Sequence, residues 1–250
     1  MQSEYRKSKK TFIISVLILS ALIVILFFVS MSVGRYRIPF PDVIKYFTGQ
    51  TVPELSARVI AYLRLPRMLL AALVGCALAV SGAIYQSAFN NKLVSPDLLG
   101  VSSGASVGAC FAILLGLSGV FISLFSFAMG FIAVILTVLI AKIFKNKSNV
   151  VLLLSGIAVG GLMSSGVGLM KYLADDEMKL AEMTYWLLGD LSGTTMKEVW
   201  IMLPIVAVSC IVTVLTSWRV NIVSLGAKES KALGINYNAN MGILMQIWAF

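Results

Sequence analysis

Long stretches without a single charged side chain constrain this chain more than anything else in it. Thr11 to Gly34 gives 24 such residues, Met68 to Asn91 gives 24, Leu98 to Ala141 gives 44, Ser148 to Met170 gives 23 and Val199 to Trp218 gives 20. A helix needs about 20 apolar residues to cross a bilayer's hydrocarbon, where the backbone must satisfy its own hydrogen bonds. Four of the runs supply one span each. The 44-residue run is too long for one crossing and divides into two helices at a tight turn near Gly116 to Gly119. The expected fold is an all-α polytopic membrane helix bundle with six complete spans. A further apolar run opens at Met241 and reaches Phe250, which reads as a partial seventh span cut short.

Composition agrees. Hydrophobic residues make up 59% of the chain and charged residues only 12%, against about 25% charged in an ordinary soluble domain. Lipid must therefore solvate most of the surface. The first run is preceded by Arg6, Lys7, Lys9 and Lys10, as a signal peptide's would be. It outruns the roughly 7–15 apolar residues of a signal, however, and leads into Arg35, Tyr36 and Arg37, so it reads as a retained membrane helix.

The net charge of +9 comes from short basic clusters between the apolar runs. Such clusters act as loop anchors and topology signals, and nucleic acid is not expected as a partner. With the N-terminus cytoplasmic, the inner side receives 11 of the 20 basic residues, including Lys92, Lys142, Lys145, Lys147, Arg219, Lys228 and Lys231. Asp175, Asp176, Glu177, Glu182, Asp190 and Glu198 then share one external loop. Arg64 and Arg67 are the exception, lying outside at the start of the second span.

Several chemistries are disfavoured. There is no histidine, and Cys76, Cys110 and Cys210 each lie in an apolar run without Cys-x-x-Cys spacing. They read as small buried hydrophobes, with no metal site or disulfide framework. No ionisable residue sits mid-span, which argues against a secondary ion-coupled carrier. No phosphate-binding Gly-x-x-x-x-Gly-Lys-Ser/Thr loop is present, so any ATP would be hydrolysed by a separate protein. A membrane-embedded enzyme would need paired carboxylates, histidines or a nucleophile with its base inside the spans, and none is visible.

Small residues at four-residue spacing let helices approach closely in lipid. Three stripes have that spacing: Gly75, Ala79 and Ala83; Gly100, Gly104 and Gly108; and Gly156, Gly160, Ser164 and Gly168. The last, with Ser155 and Ser165 adding hydroxyls, is the best candidate to line a translocation path.

Three blocks then occur in order. From Arg64 the chain reads Arg-Leu-Pro-Arg, then Gly-Cys-Ala-Leu-Ala-Val-Ser-Gly-Ala-Ile-Tyr-Gln, then Asn-Asn-Lys-Leu-Val-Ser-Pro-Asp-Leu-Leu-Gly-Val-Ser-Ser-Gly-Ala. Trp-Leu-Leu-Gly-Asp-Leu-Ser-Gly follows at Trp186 to Gly193, and Leu-Gly-Ala-Lys-Glu-Ser-Lys-Ala-Leu-Gly-Ile at Leu225 to Ile235. Together they resemble the FecCD-type permease subunits of ATP-binding cassette importers for ferric siderophores, haem and vitamin B12. One departure is local: where that family commonly has Asn-Pro-Leu-Ala, this chain has Asn91, Lys92, Leu93 and Val94. The other is length, since such subunits have about ten spans.

The resemblance implies a single transmembrane permease domain over residues 1–250, incomplete at its C-terminus, with a cytoplasmic coupling segment at 219–238. It implies transport of an iron-siderophore-type chelate in the cell membrane, without cofactor or metal of its own; a non-functional permease fragment is the alternative. The implied partners are two cytoplasmic ATPase subunits, an extracytoplasmic solute-binding protein and a second permease subunit, besides membrane lipid. Arg64 and Arg67 would meet carboxylates of the binding protein. Ser224, Leu225, Gly226, Ala227, Lys228, Glu229, Ser230, Lys231, Ala232, Leu233 and Gly234 would seat in the ATPase.

Overall fold

The computed structural model describes residues 2–144, 149–224, 230 and 232–234. All regular structure among them is helical: α1 (Gln2–Ser32), α2 (Phe40–Phe47), α3 (Glu54–Arg58), a π-helical Val59–Arg64, α4 (Leu65–Phe89), a 3-10 turn at Pro96–Leu99, α5 (Val101–Leu114), α6 (Gly119–Ile143), α7 (Asn149–Tyr172), α8 (Glu177–Leu188) and α9 (Met196–Ser224). Five helical stretches are long and apolar enough to cross a membrane: Lys9–Ser32, Glu54–Phe89, Gly119–Ile143, Val150–Tyr172 and Met196–Ile222. Their surfaces carry bare Leu, Ile, Val and Phe side chains, as a lipid-solvated surface requires.

The sixth expected span is present as a helix but differs in kind. α5 has only 14 residues, about 21 Å of rise against some 30 Å of hydrocarbon. Seven of the 14, including Val107, Cys110 and Ile113, are buried. Glycines set both its ends. Gly100 enters it at φ +78°, and Gly116 at φ +70° closes it. There Leu117 N–H donates to Ala112 O (3.0 Å) and Gly116 N–H to Ile113 O (2.9 Å), satisfying carbonyls that a helix end leaves open. The turn expected near Gly116 to Gly119 is thus present.

The chain forms two compact units. The first comprises Met1–Val74 and Leu191–Leu203. Its core is Met31, Ile38, Val43 and Ile60, with Phe27, Phe28, Tyr46 and Leu65 packed around them. The second comprises Gly75–Asp190 and Pro204–Phe250. There α5 packs against both α6 and α7. A further cluster joins Ile84, Tyr85, Ala88 and Phe89 of α4 to Val94, Leu99 and Val220.

α4 ends on Asn90, the one described non-glycine residue at positive φ (48°), with Asn91 N–H donating to Gln86 O at 3.1 Å. The next turn lacks the family's proline and holds itself differently. Asn91 Oδ1 accepts from Leu93 N–H at 2.9 Å, and Asn91 O from Val94 N–H at 3.3 Å. The asparagine side chain supplies the constraint a proline ring would otherwise impose.

Candidate functional site

The first candidate group lies where α3 runs through its π-helical turn into α4. A proline ring crowds the carbonyl four residues back in an α-helix. The widened Val59–Arg64 turn falls directly ahead of Pro66 and gives it room. Arg64 closes that turn. Its Nη1 donates to Met31 O and its Nη2 to Tyr36 O. Met31 O is one of the last carbonyls of α1, so the guanidinium caps the negative end of that helix. The loop beyond α1 is also pinned to itself, since Ser32 Oγ donates to Ile38 O (2.7 Å) and Ile38 N–H to Ser32 O (3.2 Å). At Gly34 a Cβ would stand 2.7 Å from Arg64 Nη2, so any side chain there would displace the guanidinium.

Arg67, one turn on, donates through Nε to Leu191 O at 3.2 Å. Leu191 belongs to the Trp186–Gly193 block, so two of the three ordered motifs meet at this bond. Leu191 O also accepts from Thr194 N–H at 3.3 Å, just ahead of α9, whose start carries a capping box: Glu198 accepts from Thr195 N–H at 2.9 Å, and Thr195 Oγ1 from Lys197 N–H at 3.3 Å. The two arginines, paired in the sequence reading, therefore differ. Both terminal nitrogens of Arg64 point at backbone carbonyls, whereas those of Arg67 have no described partner.

The second group is the small-residue stripe of α7. Gly156 is buried against the 3-10 turn, where a Cβ would collide with Leu98 O and stand 2.8 Å from Leu99 Cα. Gly160 lies over Gly100 and Ser103 at 3.8 and 3.7 Å from where its Cβ would be. Ser164, Ser165 and Gly168 are exposed, and nothing lies within 4 Å of a Cβ at Gly168. The five residues therefore do not share one lining face. Four-residue steps turn about 40° further round the helix each time, so a stripe that begins on the packed face has left it two steps later. Gly104 and Gly108 of α5 are packing positions too, meeting the backbone of α6 at Met129 and Phe125. Gly75, Ala79 and Ala83 are exposed.

Of the third group, Ser224, Ser230, Ala232, Leu233 and Gly234 are described. Ser230 is buried and donates to Ile222 O at 2.9 Å, and Gly234 has φ +74°. Residues 225–229 and 231, and the run 241–250, lie outside the described residues.

Two contacts were invisible in the sequence. Cys76 and Cys210, 134 positions apart and read as separate buried hydrophobes, stand with their Sγ atoms 3.9 Å apart. Cys76 is exposed and Cys210 half-buried, so that reading holds for Cys110 alone; all three are free thiols. Lys179 of α8 donates to Leu114 O at 2.9 Å, capping α5 from outside it. Neither has a spacing signature.

These features define a helical membrane protein of several spans, its central helices packed through glycine and its loops held by arginine and lysine. The chain belongs to the FecCD transport family, whose model matches residues 22–249. It is 36% identical over 224 residues to the molybdate import system permease protein MolB of Haemophilus influenzae, covering 87% of this chain and 66% of that protein. It is 34% identical over 222 residues to the vitamin B12 import system permease protein BtuC of Klebsiella pneumoniae, covering 87% and 63%. A solved inward-facing structure assigned to a metal-chelate type ABC transporter aligns with TM-score 0.79 and 31% identity, over 92% of this chain and 71% of that one. The chain spans about two thirds of the length of the curated relatives it matches.

Proposed function

We propose that this chain is the transmembrane subunit of an ATP-driven importer, acting as one permease domain, and that it forms the path for a metal chelate of the iron-siderophore type. The observation that carries the proposal is the family match over residues 22–249, with the motifs present in order. The relatives named for molybdate and vitamin B12 support an importer, and the metal-chelate neighbour supports the solute class. In this reading the N-terminus is cytoplasmic, two permease subunits enclose the path, and ATPase subunits drive it from inside. An extracytoplasmic binding protein docks near Arg64 and Arg67. The unpartnered terminal nitrogens of Arg67 suit a carboxylate, which guanidinium grips with two hydrogen bonds. Ser224 to Gly234 contacts the ATPase, and the exposed Ser164, Ser165 and Gly168 are the members of the α7 stripe left to face the solute.

The test is uptake in cells lacking their own importers, supplied with this chain, its neighbouring ATPase and its binding protein. Accumulation of ferric siderophore above molybdate and cobalamin, lost when the ATPase is inactivated, is the expected result. Uptake that survives ATPase inactivation and collapses with the proton gradient would overturn it. A cysteine at Lys228 should crosslink to the ATPase; its labelling by a reagent acting only from outside would overturn both the coupling role and the orientation.

A further inference from the structure

The loop after α1 carries two arginines that the importer reading leaves unused. Lys9–Ser32 is a 24-residue apolar helix, about 36 Å long against some 30 Å of hydrocarbon. Ser32 therefore emerges at headgroup level. An open cleft begins there, lined by Ser32, Val33, Arg37, Ile38 and Pro39. Arg35 and Arg37 are exposed, and neither has a hydrogen-bond or ion-pair partner among the described residues. The nearest carboxylate in sequence, Asp42, is already paired with Lys45 at 3.8 Å. Beside the loop, α2 turns Phe40 and Ile44 outward on one face while burying Val43 against α1, where the ring of Phe47 also packs edge-on against Phe28.

The loop is also held in advance. Hydrogen bonds between Ser32 and Ile38 close its base, and Arg64 grips it at Tyr36 O from within. A loop so fixed presents its arginines without having to be ordered by a ligand, which lowers the entropy cost of binding. We infer that Arg35 and Arg37 bind the phosphate of an anionic phosphoglyceride at the end of α1, with the exposed apolar side chains of α2 resting on its glycerol and upper acyl chains. Charge, depth and apolar surface coincide there. A free anion would use only the charge, and a docked protein would have no need of two outward apolar side chains at the bilayer surface.

The experiment uses the full chain in phosphatidylcholine vesicles carrying a minor fraction of photoactivatable phosphatidylglycerol, with crosslinks mapped by mass spectrometry. Labelling should concentrate between Val33 and Phe47 and be competed by excess phosphatidylglycerol but by neither phosphatidylcholine nor inorganic phosphate. R37Q should reduce it about fivefold, and R35Q with R37Q further, at roughly one such factor per basic residue near an anionic surface. R58Q, at an exposed residue ion-paired with Glu54 at 2.7 Å, should leave it unchanged and serves as the folding control. Competition by inorganic phosphate would make the ligand a free anion and overturn the inference. So would labelling indifferent to R35Q and R37Q, or protection of the loop by the binding protein with no preference among lipids.

Discussion

The loop beyond α1 and the α5–α6–α7 packing are ordered by opposite means. Around α5 the backbones themselves touch, at positions where a single Cβ would collide with a neighbouring main chain. Beyond α1, one long side chain from a distant helix reaches two carbonyls, and the loop closes on it. Close packing of small residues is specified by what the sequence omits. The arginine clasp is specified by what it adds, a planar fork that no other side chain reproduces in full. The first kind of order should fail steeply when volume is added, the second more gently when a group is removed.

The sharpest test adds volume to one glycine of α7 and not to another. G156V places atoms where Leu98 O and Leu99 Cα already are, and backbone cannot move aside as a flexible side chain can. We expect a loss of about 3 kcal/mol or more, at or above the upper end of overpacking costs, read as a collapse of the monodisperse fraction in detergent. G168V meets nothing within 4 Å and should change stability by no more than about 0.5 kcal/mol. Equal losses would abolish the distinction between packed and exposed members of the stripe.

Removing the clasp comes next. R64M forfeits both carbonyl bonds, worth about 1–3 kcal/mol in all for a half-exposed cation. The local readout is proteolysis between Gly34 and Ile38 in reconstituted protein, which should accelerate several-fold. R64K keeps the charge without the planar fork and should recover only part of the protection. Unchanged proteolysis in R64M would mean that the Ser32–Ile38 bonds hold the loop alone. Because Arg64 also supports the loop, loss of binding-protein docking in an Arg64 variant is ambiguous; R67Q spares that loop but forfeits the Nε bond to Leu191 O, so its docking is read beside the same proteolysis assay.

This contrast also explains what could be read in advance. The spans were legible because lipid enforces a length and a composition, and residues 11–34 and 199–218 obey both without context. The motifs located Arg64, Arg67 and the Trp186–Gly193 block, but not the bond from Arg67 to Leu191, which only the fold brings about. The glycine stripes were visible as spacing, but not which members of the α7 stripe are packed and which exposed, because a four-residue repeat drifts around a helix. The shortness of α5 was concealed because a buried 14-residue helix, its flanking turn and a true span are equally free of charge. Cys76 and Cys210 carry no signal of their meeting, since apolar neighbours surround each and nothing in the chain encodes helix adjacency.

A smaller effect is expected where a side chain links helices inside the glycine-packed unit. Thr137 is fully buried, and its Oγ1 donates to Leu99 O at 3.0 Å, tying α6 to the 3-10 turn. T137V preserves shape and removes the donor. The loss should be about 0.6–1.7 kcal/mol, the range for hydrogen bonds between membrane helices, seen in the detergent melting temperature. A loss as large as that of G156V would show that polar ties rival backbone contact in this unit.

The smallest effect belongs to the turn after α4, where this chain uses an asparagine side chain in place of the family's proline. N91A removes the acceptor for Leu93 N–H, but the site is exposed and water can take over that bond. The net loss should be about 0.5–1 kcal/mol. The more specific readout is hydrogen exchange at the Leu93 amide, which should lose its protection while Val94, bonded to Asn91 O, keeps its own. K92P restores the family's residue, and Lys92 N–H makes no described hydrogen bond that would be lost. A proline there narrows the unfolded chain's choices by a comparable 0.4–1 kcal/mol or so, so N91A with K92P should return near the starting stability with Leu93 still exchanging fast. If instead K92P destabilises both backgrounds, residue 92 occupies a conformation closed to proline, and the asparagine turn is a different loop from the family's rather than a second way of holding the same one.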